Sequence, residues 1–147
     1  MKAEWIDWIV DYSDGLDWEY IESKPGAELD RRYSWCVLPR DKVPFDNELD
    51  GYIRAFIGEF NYVNTGYTLV KYNVGDYIGE HADYTGNNKV TYIRELKASD
   101  CGTGLTVEGT PLTECYFYNN VIHEVKPIKA GTRISLTMFG SKVTSLI

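Results

Sequence analysis

Gly131-Thr132-Arg133-Ile134-Ser135-Leu136-Thr137-Met138-Phe139 is the stretch from which the fold can be read. Successive side chains of a strand point to opposite faces, so Ile134, Leu136 and Met138 share one face and Arg133, Ser135 and Thr137 the other. If the apolar face packs beneath helices, the polar face looks into a cavity on the far side. There an arginine beside a serine hydroxyl can grip a carboxylate through charge-assisted hydrogen bonds. Taken alone, a strand with one solvated face explains the same alternation more simply.

Working outward, the segments 68–73, 90–96, 104–107, 114–118 and 121–125 also read as short strands, and 132–139 closes the series. Gly75, Thr85-Gly86-Asn87-Asn88, the segment 99–102, Gly109-Thr110-Pro111, Asn119-Asn120 and the segment 127–131 mark turns between them. Many short strands with regular turn signals predict a sandwich or barrel, with a jelly roll the preferred version. Before residue 66 the pattern differs. Trp5, Trp8, Ile9 and Tyr12 recur at helical spacing over 1–12, and 17–23 and 31–38 read as strands. After Pro44, Asp46 or Asn47 can cap a second helix in which Leu49, Ile53, Phe56, Ile57 and Phe60 share a face. The expectation is a mainly β (α+β) chain, one domain over 1–147, with helical support in 1–65 and a jelly-roll core in 66–140.

Composition narrows the function. Lys+Arg 15 against Asp+Glu 22 gives a net charge of −7, without the broad positive field that non-specific nucleic-acid binding needs. No apolar run approaches a membrane span, and the start of the chain lacks the basic and apolar regions of a signal peptide. Three cysteines, Cys36, Cys101 and Cys115, form no C-x-x-C pair and read as reduced thiols of a cytoplasmic protein. Phosphate-loop, serine-hydrolase and zinc-finger motifs are missing. Glu80, Glu95, Glu108, Glu114 and Glu124 read as solvated strand residues.

The chemistry concentrates in Tyr72-Asn73-Val74-Gly75-Asp76-Tyr77-Ile78-Gly79-Glu80-His81-Ala82-Asp83. At strand spacing, His81 and Asp83 aim an imidazole and a carboxylate at one point. The chain holds one other histidine, His123. Two histidines and a carboxylate on one face of a metal, with other positions open, form the facial triad of non-haem Fe(II) oxygenases.

Together the two stretches resemble the Fe(II)/2-oxoglutarate-dependent oxygenases, most of all their prolyl 4-hydroxylase-like branch. The family pattern Y-x-x-G-x(5)-H-x-D is met by Tyr72, Gly75, His81 and Asp83. A glycine-bearing strand follows at Thr103-Gly104-Leu105-Thr106, then His123, with Arg133 and Ser135 about ten positions on. The chain departs from the pattern at Thr103-Gly104, where Gly-Gly is common, and at Ile78, where an aromatic residue is common. It carries Arg133 where collagen-type enzymes carry lysine. The resemblance implies a double-stranded β-helix with Fe(II) on His81, Asp83 and His123 as the catalytic centre. It also implies 2-oxoglutarate on Arg133 and Ser135 with a hydrogen bond from Tyr72. O2 would be consumed, ascorbate would serve as accessory reductant, and succinate and CO2 would leave as a substrate C–H is hydroxylated. The expected partner is a peptide or protein, a peptidyl proline first, with a free amino acid or nucleobase as alternatives. Two other readings stand beside it: a cupin-like metal enzyme that uses no keto acid, and a non-catalytic jelly-roll binding module.

Overall fold

A computed structural model of the chain describes residues 1–58, 60–62, 65–83, 89–102, 104–118 and 120–142. Helix α1 (Ala3–Ser13) is followed by β1 (Glu19–Glu22), β2 (Arg31–Pro39) and a short 3-10 turn, then α2 (Asp46–Ile57). The strands β3 (Phe60–Tyr62), β4 (Gly66–Tyr72), β5 (Tyr77–His81), β6 (Lys89–Lys97), β7 (Leu105–Val107), β8 (Thr110–Pro111), β9 (Glu114–Tyr118), β10 (His123–Val125) and β11 (Arg133–Lys142) complete the order. The fold is mainly β, as expected. The turn 85–88, Thr103 and Asn119 lie outside the described residues.

Every strand pairing is antiparallel, in the order β8-β7-β10-β5-β2-β4-β11-β6-β9, with β1 added to β2 and β3 to β11. One end of that path, β9, comes up against β10 near the other. Phe117 of β9 and His123 of β10 have ring centroids 4.5 Å apart, so the sheet curls over on itself and encloses a cavity. This is the jelly-roll architecture that the spacing of strands predicts.

β11 lies at the centre because both of its faces are used. Ile134, Leu136 and Met138 are buried with Leu38, Tyr67, Leu69 and Tyr92 of the sheet and with Trp5, Ile9, Leu49, Ile53 and Ile57 of the helices. Each such side chain contributes about 1.5–3 kcal/mol when fully buried. Arg133, Ser135 and Thr137 face the other way and are also buried, which rules out the solvated-face reading. A second apolar cluster of Tyr72, Ile93, Leu105, Phe117, Val125 and Ile128 surrounds them.

Several local expectations are corrected. Leu49, Ile53 and Ile57 form the buried face of α2, but Phe56 is 40% exposed. Phe60 is not helical, because Gly58 (φ 85°) turns the chain and Phe60 begins β3 against β11. Neither Asp46 nor Asn47 caps α2. Phe45 occupies the capping position without a side-chain bond, and the Asp46 carboxylate instead accepts from Arg40 and from the Tyr67 hydroxyl. The close packing of β3 on β11 needs Gly140, where an added Cβ would overlap the Phe60 ring and stand 2.5 Å from the Asn61 carbonyl. Strands β3, β5 and β8 were not foreseen as separate elements. No helix among the described residues is long and apolar enough to cross a membrane.

Candidate metal centre and anion pocket

His81 reaches the cavity through a β-bulge. In the β5–β10 pair, His81 lies opposite His123 and Ile78 opposite Val125, so three steps on β5 match two on β10. Without the extra residue Ile78 and His81 would point to opposite faces; with it, both line the cavity. The bulged segment is fixed by a bond from the Gly79 amide to the Asp30 carbonyl at 2.8 Å. Asp83 is not part of the strand, and the i, i+2 argument does not place it. It lies past the end of β5, where Thr91 Oγ1 of β6 donates to its Oδ2 at 2.8 Å.

The donor atoms converge. His81 Nε2 is 3.2 Å and His123 Nε2 3.3 Å from Asp83 Oδ1, and the three ligand atoms all lie within 4.8 Å of one another. Bonds of about 2.1 Å at right angles to an ion would put neighbouring donors about 3.0 Å apart. The remaining ring nitrogens are committed elsewhere: His81 Nδ1 to the Gly79 carbonyl at 2.8 Å, and His123 Nδ1 to the Val121 carbonyl at 3.0 Å. A carbonyl only accepts, so each Nδ1 carries a hydrogen, and in the neutral tautomer this fixes, the Nε2 lone pair turns inward. Two lone pairs and a carboxylate facing one another are all acceptors, and only a proton or a cation can satisfy them together.

The charges agree. Burial raises the Asp83 carboxyl, but where a proton takes that place between Nε2 and Oδ1 the hydrogen bonds from His123 and His81, with that from Thr91, outweigh it and hold the carboxylate well below its usual range. For His81, burial lowers the imidazole, while the bonds to Asp83 and Gly79 outweigh it and raise it. Asp83 thus keeps a negative charge beside the two imidazoles, in a geometry that seeks a cation.

The second part of the site lies deeper in the same cavity, which has a volume of about 380 Å³ and is lined by Tyr72, Arg133 and Ser135 as well as the triad. Arg133 is 1% exposed. Its Nε donates to Glu95 Oε2 at 3.0 Å, and its guanidinium carbon lies 5.4 Å from the centre of the Tyr72 ring. Its Nη2 is buried without a hydrogen-bond partner. An unsatisfied buried donor of this kind costs more than an ordinary lost hydrogen bond, and an incoming carboxylate removes that cost. Gly104 leaves room for the pair, since a Cβ there would stand 3.0 Å from Glu95 Oε2. Burial pushes the Tyr72 phenol well above its ordinary value, so the hydroxyl stays protonated and can donate.

The six residues singled out in the sequence, His81, Asp83, His123, Arg133, Ser135 and Tyr72, therefore line one cavity. Sequence reasoning missed two that hold them, Thr91 and Glu95. It also misjudged Glu114, which is not solvated but receives Tyr52, Tyr92 and Arg94 on the far face of β6 and β9. Only the reach of a neighbouring strand reveals these roles.

No protein-family model matches the chain, and no curated protein matches it in sequence. Among solved structures it is similar to the viral collagen prolyl hydroxylase of Paramecium bursaria Chlorella virus-1 in its 2OG complex, at 14% identity and TM-score 0.62, covering 97% of this chain and 92% of that one. It is also similar to a 2OG-Fe(II) oxygenase family oxidoreductase of Burkholderia pseudomallei, at 18% identity and TM-score 0.64, covering 99% and 82%. A predicted oxalate decarboxylase of Thermotoga maritima aligns at 11% identity and TM-score 0.54, covering 88% and 96%. At such identities the likeness establishes the jelly-roll fold.

Proposed function

We propose that this chain is an Fe(II)- and 2-oxoglutarate-dependent dioxygenase of the prolyl 4-hydroxylase-like kind, hydroxylating a C–H bond of a peptide, with a peptidyl proline the first candidate. The observation that carries the reading is the pairing, in one cavity, of an all-acceptor His81–Asp83–His123 cluster with an unpartnered buried nitrogen of Arg133. A cation answers the first and a carboxylate the second, and a metal-chelating dicarboxylate serves both. The solved relatives agree with that chemistry by name.

His81, Asp83 and His123 hold the iron, and the Gly79 and Val121 carbonyls and Thr91 keep their donor atoms inward. Arg133 and Ser135 receive the far carboxylate of the keto acid, and Tyr72 donates to it. Fe(II) with 2-oxoglutarate supplies the oxidation of a C–H bond by O2, coupled to release of succinate and CO2, with ascorbate as accessory reductant. Ile93, Leu105 and Val125 give the cavity an apolar wall beside the charged groups. The reduced state of Cys36, Cys101 and Cys115 suits a cytoplasmic setting.

The reading is tested by titrating 2-oxoglutarate into the Mn(II)-loaded protein without oxygen, then measuring Fe(II)-dependent succinate release. Both should be seen, and His81→Ala should abolish release. Metal binding indifferent to the keto acid would favour the cupin-like reading, and absence of both would leave a binding module. A +16 Da product in a co-expressed proteome would identify the substrate.

A further inference from the structure

The chain has six arginines, at 31, 32, 40, 54, 94 and 133. Five are ion-paired: Arg32 with Asp76, Arg40 with Asp46 and Asp50, Arg54 with Asp50, Arg94 with Glu114, and Arg133 with Glu95. Arg31 has no carboxylate partner among the described residues. Among the described residues its guanidinium makes one side-chain hydrogen bond, from Nη1 to the Tyr33 hydroxyl at a long 3.3 Å, and lies 5.9 Å from the centre of that ring.

Its position matters more than its solitude. Arg31 opens β2, in register with Ile78 of β5, and lines the cavity beside His81, with Leu29 and the exposed Ala82. It is half-buried, whereas Arg133 is enclosed. A positive charge lining a metal cavity works against the metal, and a chain with 22 acidic residues has every means to neutralise it. Arginine offers five donors in a planar fork, and among the described residues only one of them here meets a protein acceptor.

We propose that Arg31 is a substrate-binding residue and that the substrate carries a carboxylate close to the C–H bond that reacts. This rests on the oxygenase reading and narrows its substrate class. The buried guanidinium takes the cosubstrate, while the one nearer the surface takes the substrate and orients it over the metal. The carboxylate belongs either to a free or C-terminal amino acid or to an acidic side chain next to the target residue. Tyr33 backs the guanidinium as a flat support.

The test uses matched acids and amides as probes: N-acetyl-L-proline against N-acetyl-L-prolinamide, and a blocked Ala-Pro-Asp-Ala peptide against its Ala-Pro-Asn-Ala counterpart. Each is titrated calorimetrically into the Mn(II)- and 2-oxoglutarate-loaded protein without oxygen. At least one acid should bind about tenfold or more tightly than its amide. The preference should fall below about twofold in Arg31→Gln and persist in part in Arg31→Lys. The first pair responding alone assigns a free carboxylate, and the second alone an acidic side chain. The proposal is overturned if no acid outbinds its amide, if Arg31→Gln keeps the preference, or if the acid displaces 2-oxoglutarate. Should 2-oxoglutarate fail to bind while acid preference still depends on Arg31, the oxygenase reading falls and what stands of this one is carboxylate recognition by Arg31.

Discussion

Replacing Arg133 by methionine separates what the arginine does for the ligand from what it does for the fold. The methionine keeps most of the aliphatic stem, while it removes every donor and the guanidinium that lies over Tyr72. Two charge-assisted hydrogen bonds to a carboxylate, at about 1.5–3 kcal/mol each, are lost. The smaller sum, about 3 kcal/mol, corresponds to at least about 100-fold weaker 2-oxoglutarate binding. The same change strands Glu95, whose side chain is 13% exposed, and an uncompensated charge at such a site costs about 3 kcal/mol of stability. Adding Glu95→Gln removes the stranded charge. The double variant should therefore recover most of the stability, read as the midpoint of urea unfolding, and none of the 2-oxoglutarate affinity, read by anaerobic titration with Mn(II) present. If the double variant regains affinity, or if the single variant keeps it within about threefold, Arg133 is not the anchor.

Three further outcomes are expected. Thr91→Val removes the bond that orients Asp83 and should weaken Mn(II) binding by about 10–100-fold with little change in unfolding midpoint; unchanged binding would mean Asp83 needs no such support. Gly140→Ala forces a Cβ into the Phe60 ring and the Asn61 carbonyl and should cost about 1–3 kcal/mol by denaturant unfolding, so a neutral result would contradict the packing of β3 on β11. Burial pushes the Cys36 and Cys115 thiols up to about 11 while Cys101 is exposed, so iodoacetamide at pH 8 should label Cys101 first, as read by peptide mass spectrometry.

What could be read from the sequence was periodic or local. The period-2 pattern of β11 separated Ile134, Leu136 and Met138 from Arg133, Ser135 and Thr137, and the structure keeps that division. The spacing of His81 and Asp83 pointed to a shared target, though for an incomplete reason. A bulge is defined by the strand opposite, so nothing within Tyr77–His81 announces it. Asp83 is aimed by Thr91, a residue of another strand. Glu95 and Arg133 are 38 positions apart, and a glutamate between Arg94 and Leu96 looks solvated until its partner is known. The end of α2 was misplaced because Phe60 continues the apolar series, while Gly58, the residue that breaks it, was given no weight.

The two-sided burial of β11 has a consequence for how the chain finds its native pairing. A slip of one residue against β4 and β6 would exchange its faces. Arg133 would then enter the oily layer under the helices with no counter-charge, and Ile134 would take its place beside Glu95. Such a misaligned sheet pays several kcal/mol for an unpaired buried cation. The residue assigned to hold the cosubstrate thus also checks the alignment of the central strand, and a chain that has hidden Arg133 against Glu95 has, by the same act, been proofread.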